Sequence, residues 1–245
     1  MTSRTTETSP LVYARAAGLL YLTMVPLGFF GMYSHSTLIV PGDVVTTVNN
    51  IIASAFLFRL SIMSALVVQI VNIVLVLVLY KLLKPVSRNT AVLMVVFFLV
   101  SVPVTMLNEL NQFAALLLLS GADYLAVFKT GQLHAQVMVF FDLHEHGINI
   151  AQIFWGLWLF PMGYLVFKSG FLPRVLGLLL IIAGLGYLQD TVRFFFFPAI
   201  APIVLYTFWG ELLLALWLLI KGINIEQWEK RAVESEDSKL LRRNS

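Results

Sequence analysis

The chain has 245 residues, 59% of them hydrophobic and only 12% charged, with a formal net charge of +3. Polar side chains are too few to cover a water-facing surface of that size, which excludes an ordinary soluble domain, and so small a charge excess gives no reason to expect nucleic acid. With no cysteine, disulfides, thiolate nucleophiles and thiolate metal sites are excluded as well.

Apolar stretches recur at the length a bilayer demands, about 20 residues. The first runs from about Leu11 to Tyr33 and is too long for the core of a cleaved signal peptide, so it reads as an uncleaved span. Pro41-Gly42-Asp43 marks a turn, and Val44 to Phe56 reads as a short interfacial helix. Further spans follow at about Leu57 to Leu83, Asn89 to Leu119, Gly131 to Phe167, Arg174 to Phe196 and Pro198 to Ile220. The fourth exceeds what a bilayer needs, and protrusion, tilt or a bend near Gly147 is expected. Pro26, Pro103 and Pro161 are candidate kinks. Gly28 with Gly31, Gly156 with Gly163, and Gly177 with Gly184 are candidate close-packing positions. Trp209, Trp217 and Trp228 suit the membrane interface.

These readings add up to an all-α, polytopic transmembrane helical bundle of six spans. It occupies residues 11–222, between an N-terminal tail at 1–10 and a charged C-terminal tail at 223–245. That tail reads as disordered in preference to a short surface helix, with Lys239, Arg242 and Arg243 available to anionic lipid. With both termini inside, thirteen Lys and Arg fall on the cytoplasmic side, from Arg4 and Arg15 to Arg243. Only Arg59, Lys129 and Arg193 fall outside. Outgoing spans open on Arg15, Arg88 and Arg174, and returning spans close on Tyr80-Lys81, Phe167-Lys168 and Ile220-Lys221. That pattern is compatible with three repeated helical hairpins, although positive-inside flanks generate it unaided.

Several of these segments carry a family resemblance. Ala14 to Leu22, Ile39 to Asp43, Leu57-Phe58-Arg59, Leu82 to Val86, Ser169 to Arg174 and Gly210-Glu211-Leu212 resemble, in order and spacing, the bacterial membrane family called domain of unknown function 4386. The likeness runs from about Ala14 to Asn224. It implies a multi-pass protein of a bacterial cytoplasmic (inner) membrane but brings no reaction or ligand. Recurrent polar positions of the family match Arg59, His144 and Glu211, whereas Asp142 and His146 look less typical.

Ionisable groups within spans cost about 2.5–3.5 kcal/mol each at mid-helix and usually face the protein interior. Here they gather in the outer half: Arg59, then Asn108, Glu109, Asn111 and Gln112, then Asp142 to Gln152, then Gln189, Asp190 and Arg193, with Glu211 in the sixth span. At about 100° per residue, Asp142, Glu145, His146, Asn149 and Gln152 share one arc and His144 points nearly opposite. An outward-facing polar pocket is therefore expected. Its lining would be Arg59, Asn108, Glu109, Gln112, Asp142, Glu145, His146, Asn149, Gln152, Asp190, Arg193 and Glu211, and its occupant a small polar or amphiphilic ligand or a lipid headgroup. Glu211 is expected to pair with Arg59 or Arg193. This reading requires no cofactor, names membrane lipids as the other partners and fixes no oligomeric state.

Two alternatives stay open. Asp142 and His146, four apart, with His144 and Glu109, offer nitrogen and oxygen ligands for a divalent metal such as zinc in an intramembrane hydrolase. Asp142 to His146 is not the H-E-x-x-H pattern, so the motif itself is weak. Otherwise the polar cluster only fixes helix register.

Overall fold

A computed structural model describes residues 9–243, with side chains through Asp237. Arg4 and the side chains of Lys239, Arg242 and Arg243 lie outside the described residues. No strand occurs among the described residues. The helices are α1 (Pro10–Leu38), α2 (Val44–Ala53), α3 (Ala55–Leu83), α4 (Arg88–Leu118), α5 (Thr130–Ser169), α6 (Arg174–Phe196), α7 (Val204–Thr207), α8 (Trp209–Ile220) and α9 (Ile225–Arg243). Five of them, α1, α3, α4, α5 and α6, are long and apolar enough to cross a membrane. The stretch Val204–Ile220 with Ile225–Asp237, a pair bent by 103°, brings the number up to six.

The span expected from Pro198 begins its helix only at Val204. Pro198 and Pro202 hold the intervening chain out of helical geometry. Pro26, Pro103 and Pro161 each lie inside a continuous helix. Arg88 and Arg174 open α4 and α6, but Arg15 lies within α1, so the outgoing helices do not start in one register.

The chain divides into two compact units. One comprises the residues up to Leu22, Asn72–Ser101 and the chain from Gln152 onward. Its core holds fully buried Leu75, Leu79, Met94, Leu159, Met162 and Leu180. Glycine lets its helices touch backbone to backbone. A Cβ on Gly177 would meet the carbonyl oxygen of Gly163 at 2.5 Å, and one on Gly184 would meet that of Gly156 at 2.9 Å. Gly28 and Gly31, which share the sequence signal, face open space instead.

The same unit orders the C-terminal segment. Gly222, at φ +69°, ends α8 in the left-handed conformation that glycine tolerates best. Beyond it α9 is a helix where a disordered tail was expected. Two side chains dock it: Trp228 donates to the Leu82 carbonyl at 2.8 Å, and Arg231 to the Lys168 carbonyl at 3.3 Å. Both acceptors belong to the last turns of long helices, where carbonyls have no partner of their own. Trp228 thus caps a helix rather than lying free at an interface.

The second unit comprises Thr23–Val71 and Val102–Ala151. Leu38, Val48, Ile51, Phe58, Ile62, Ala115, Val137 and Phe141 form its apolar core. The expected short helix is present as α2, started by Asp43, whose carboxylate accepts from the Thr46 hydroxyl at 2.7 Å and the Thr46 N–H at 2.9 Å. Thr47 ties α2 to the preceding turn, accepting from the Val40 N–H at 2.9 Å.

Gly177→Ala is expected to lower the thermal midpoint in detergent, by an overpacking penalty of about 1–3 kcal/mol. Gly28→Ala, in open space, should leave the midpoint unchanged or raise it, with a stability gain of up to about 1 kcal/mol. The Thr46 hydroxyl and then the Thr46 N–H hold the Asp43 carboxyl below its ordinary value of 3.8. Its contribution is therefore present above that value and lost as the pH falls through the lower, folded one. Acidification below about pH 4 should depress the melting temperature more steeply in the wild type than in Asp43→Asn.

Candidate functional site

Glu109 on α4 and His144 on α5 meet in the second unit, His144 Nε2 lying 3.3 Å from Glu109 Oε1, with 2% and 8% of each residue exposed. Gln112, one turn beyond Glu109, donates to Glu109 Oε2 at 2.7 Å and approaches His144 Nε2 at 2.9 Å. Two hydrogen placements satisfy this triangle. A protonated Nε2 donates to Glu109, or a bare Nε2 accepts from Gln112 while the proton resides on Glu109. The three side chains form a closed proton-sharing group.

Two further contacts set its geometry. Asn108 donates to the His144 carbonyl at 2.8 Å, and Asn111 donates to Asn108. Gly147 makes room for this, since a Cβ there would run into the Asn108 amide. Gly147 thus supplies space for Asn108. On α1 the His35 ring stacks 6.4 Å from that of His144. Its neighbour Ser34 is fully buried, with a side-chain oxygen that finds no hydrogen-bond partner.

The expected face of α5 splits along its length, with Asn149 buried and the residues before Gly147 turned outward. His144 is buried, whereas Asp142, Glu145 and His146 are exposed. The helix has 40 residues, about 60 Å at 1.5 Å per residue, roughly twice the hydrocarbon thickness. His144 is the residue that faces Glu109 on α4, and at about 100° per residue that contact turns Asp142, Glu145 and His146 away from it. Asn149 is buried but donates to the Glu145 carbonyl at 2.9 Å within its own helix. Arg59 is exposed.

The four proposed zinc ligands therefore separate into a buried pair, Glu109 and His144, and an exposed pair, Asp142 and His146. His146 Nδ1 instead donates to the Asp142 carbonyl at 2.7 Å. No three His, Asp or Glu side chains converge as a metal site among the described residues. The set of four does not fit one ion.

In the other unit, Glu211 pairs with neither Arg59 nor Arg193. It accepts from the phenols of Tyr21 at 3.0 Å and Tyr187 at 3.1 Å. Tyr21 stacks 6.3 Å from Trp158, and Trp155 meets Tyr187 edge-on at 6.3 Å. Asp190, 4% exposed, accepts from the Ile203 and Val204 N–H groups at 2.8 and 3.0 Å and so caps α7. Arg193 Nη1 donates to the carbonyls of Pro198 and Ile200 at 3.3 and 3.1 Å. Gln152 Oε1 is buried without a partner.

Of the twelve expected lining residues, Glu109, Gln112 and Asn108 thus gather around His144, while Glu211, Asp190 and Arg193 each have local partners of their own. Sequence reasoning passed over His35, Tyr21 and Tyr187. A polar ring inside an otherwise aliphatic span was the available signal for both tyrosines.

The family described as a domain of unknown function (DUF4386) matches residues 16–222 of the chain. An uncharacterized protein of Archaeoglobus fulgidus is 32% identical over 185 residues, covering 73% of this chain and 96% of that protein. No solved structure matches.

Gly147→Ala should push the Asn108 amide off the His144 carbonyl. A loss of about 1–3 kcal/mol is expected, read as a lower thermal midpoint. Asn108→Ala in the same background should restore part of it, because the added methyl then has room.

Proposed function

The chain belongs to the DUF4386 family, and from that premise we propose a multi-pass membrane protein that binds a small polar ligand or lipid headgroup at the Glu109–His144 pair. One observation carries the reading: two ionisable side chains from different apolar helices meet at 3.3 Å and are almost wholly enclosed. Each is expensive to place within a span, and such residues ordinarily mark a functional site. Ser34, buried without a partner in the same unit, adds a hydroxyl that a ligand would satisfy.

The chemistry favours a donor-bearing, cationic group. Glu109 is acceptor-only when ionised, and no Lys or Arg contacts it among the described residues. A ligand ammonium would take the place of the His144 N–H at the carboxylate and release the imidazole to accept from Gln112. Binding would thus move the imidazole proton from Nε2 to Nδ1 and leave Glu109 ionised.

We place both termini in the cytoplasm and the pair toward the opposite face of a cytoplasmic membrane. The thirteen-to-three partition of Lys and Arg supports that orientation. The relative from Archaeoglobus fulgidus shows that such chains are not confined to bacteria.

Ethanolamine and N-methylethanolamine, as headgroup fragments, test the reading by thermal shift in detergent. One of them at a hundredfold excess over its Kd should raise the wild-type midpoint by about 5–10 °C, and Glu109→Gln should abolish that response. If Glu109→Gln lowers the midpoint while the wild type ignores both amines, the pair only locks helix register and the reading fails.

A further inference from the structure

A groove of about 440 Å³ runs along α6, lined by Leu185, Leu188, Gln189, Val192 and Arg193 and closed by Phe197 and Ile200. Apart from Gln189 and Arg193 its walls are hydrocarbon. The Arg193 guanidinium has five donors arranged as a planar fork. Both of its bonds among the described residues leave from Nη1, toward the Pro198 and Ile200 carbonyls. Its Nε is buried without a partner. One edge of the fork, Nε with Nη2, is therefore unspent, and that edge matches two oxygens of a phosphate in a bidentate contact. Gln189 Oε1 is likewise buried without a partner and lacks a donor, so both side chains must turn toward the groove for a headgroup to reach these atoms.

Depth agrees with this chemistry. Arg193 follows Arg174, at the start of α6, by about 29 Å of helix rise, close to the thickness of the hydrocarbon layer. A guanidinium there stands at headgroup level when Arg174 stands at the other surface. Leu185 lies about 12 Å deeper along the same helix, so an acyl chain descending from the headgroup would follow the apolar wall. The nearby carboxylate of Asp190 does not neutralise Arg193 through an ion pair. It is engaged by the Ile203 and Val204 N–H groups.

We propose that this groove is a binding site for one acidic phospholipid with a hydroxylated headgroup, its phosphate on the Nε–Nη2 edge of Arg193, a headgroup hydroxyl donating to Gln189, and an acyl chain against Leu185, Leu188 and Val192. The site is separate from the Glu109–His144 pair and does not depend on what that pair binds. A purely structural Arg193, fixing the 197–200 loop through Nη1, would show no headgroup preference.

The test uses the full chain in nanodiscs doped with spin-labelled phosphatidylglycerol or spin-labelled phosphatidylcholine, reading the motionally restricted fraction. Wild type should prefer phosphatidylglycerol by about tenfold, because both lipids carry the phosphate but only phosphatidylglycerol adds hydroxyls for Gln189 and brings no choline cation beside Arg193. Arg193→Gln should bring the ratio to about one, and Arg193→Lys should keep part of it. Leu185→Trp, which fills the groove from an exposed position with Arg193 untouched, should remove restricted lipid of both kinds. Excess inorganic phosphate should leave the preference in place, because the acyl chain supplies part of the contact. Equal restriction of the two lipids by the wild type overturns the proposal. So does a preference that survives Arg193→Gln, or one abolished by inorganic phosphate alone.

Discussion

Hydrocarbon supplies no hydrogen bonds, so every polar group carried into a span must find its partner within the protein or bear the full cost of desolvation. That constraint organises both compact units. Glu211 is held by two phenols, Asp190 by two backbone N–H groups, and Glu109 by an amide and an imidazole. Each carboxylate has at least two hydrogen-bonding neighbours, and none depends on an arginine. A long cationic side chain would bring a second charge to desolvate, while a tyrosine or a backbone N–H brings only a donor.

The partners differ in what they leave possible. Asp190 is fully committed to starting α7, and its role ends with the cap. Glu211 sits among aromatic rings that restrict its movement. The Glu109 group alone contains an imidazole, and so the proton between its members has more than one resting place. Chemistry is expected where a polar group has alternatives, and structure where it has none.

Helix positions were legible in the sequence because hydrophobic length and turn residues are local properties. Arg174 to Phe196 is reproduced to the residue, and α3, α4 and α5 differ from the expected spans by one or two. Facing was less legible. The arc holding Asp142, Glu145 and His146 is expected to point inward on the rule that applies in lipid. The contacts of His144 and Gly147 with α4 turn it outward instead. Glycines showed the same gap: Gly163 and Gly177 pack, while Gly28 and Gly31 do not. A small residue permits contact, but a partner helix must be there to make it. The C-terminal helix was hidden for another reason, since its order comes from docking to Leu82 and Lys168, carbonyls remote in sequence.

That docking also bears on the order of biosynthesis. Trp228 and Arg231 are made after every apolar helix of the chain, yet they complete the ends of α3 and α5, which enter the bilayer much earlier. Those two helix ends must therefore rely on water for their last carbonyls until α9 has been made. A nascent chain halted before Trp228 would carry α1 to α8 and still lack the two side chains that cap α3 and α5.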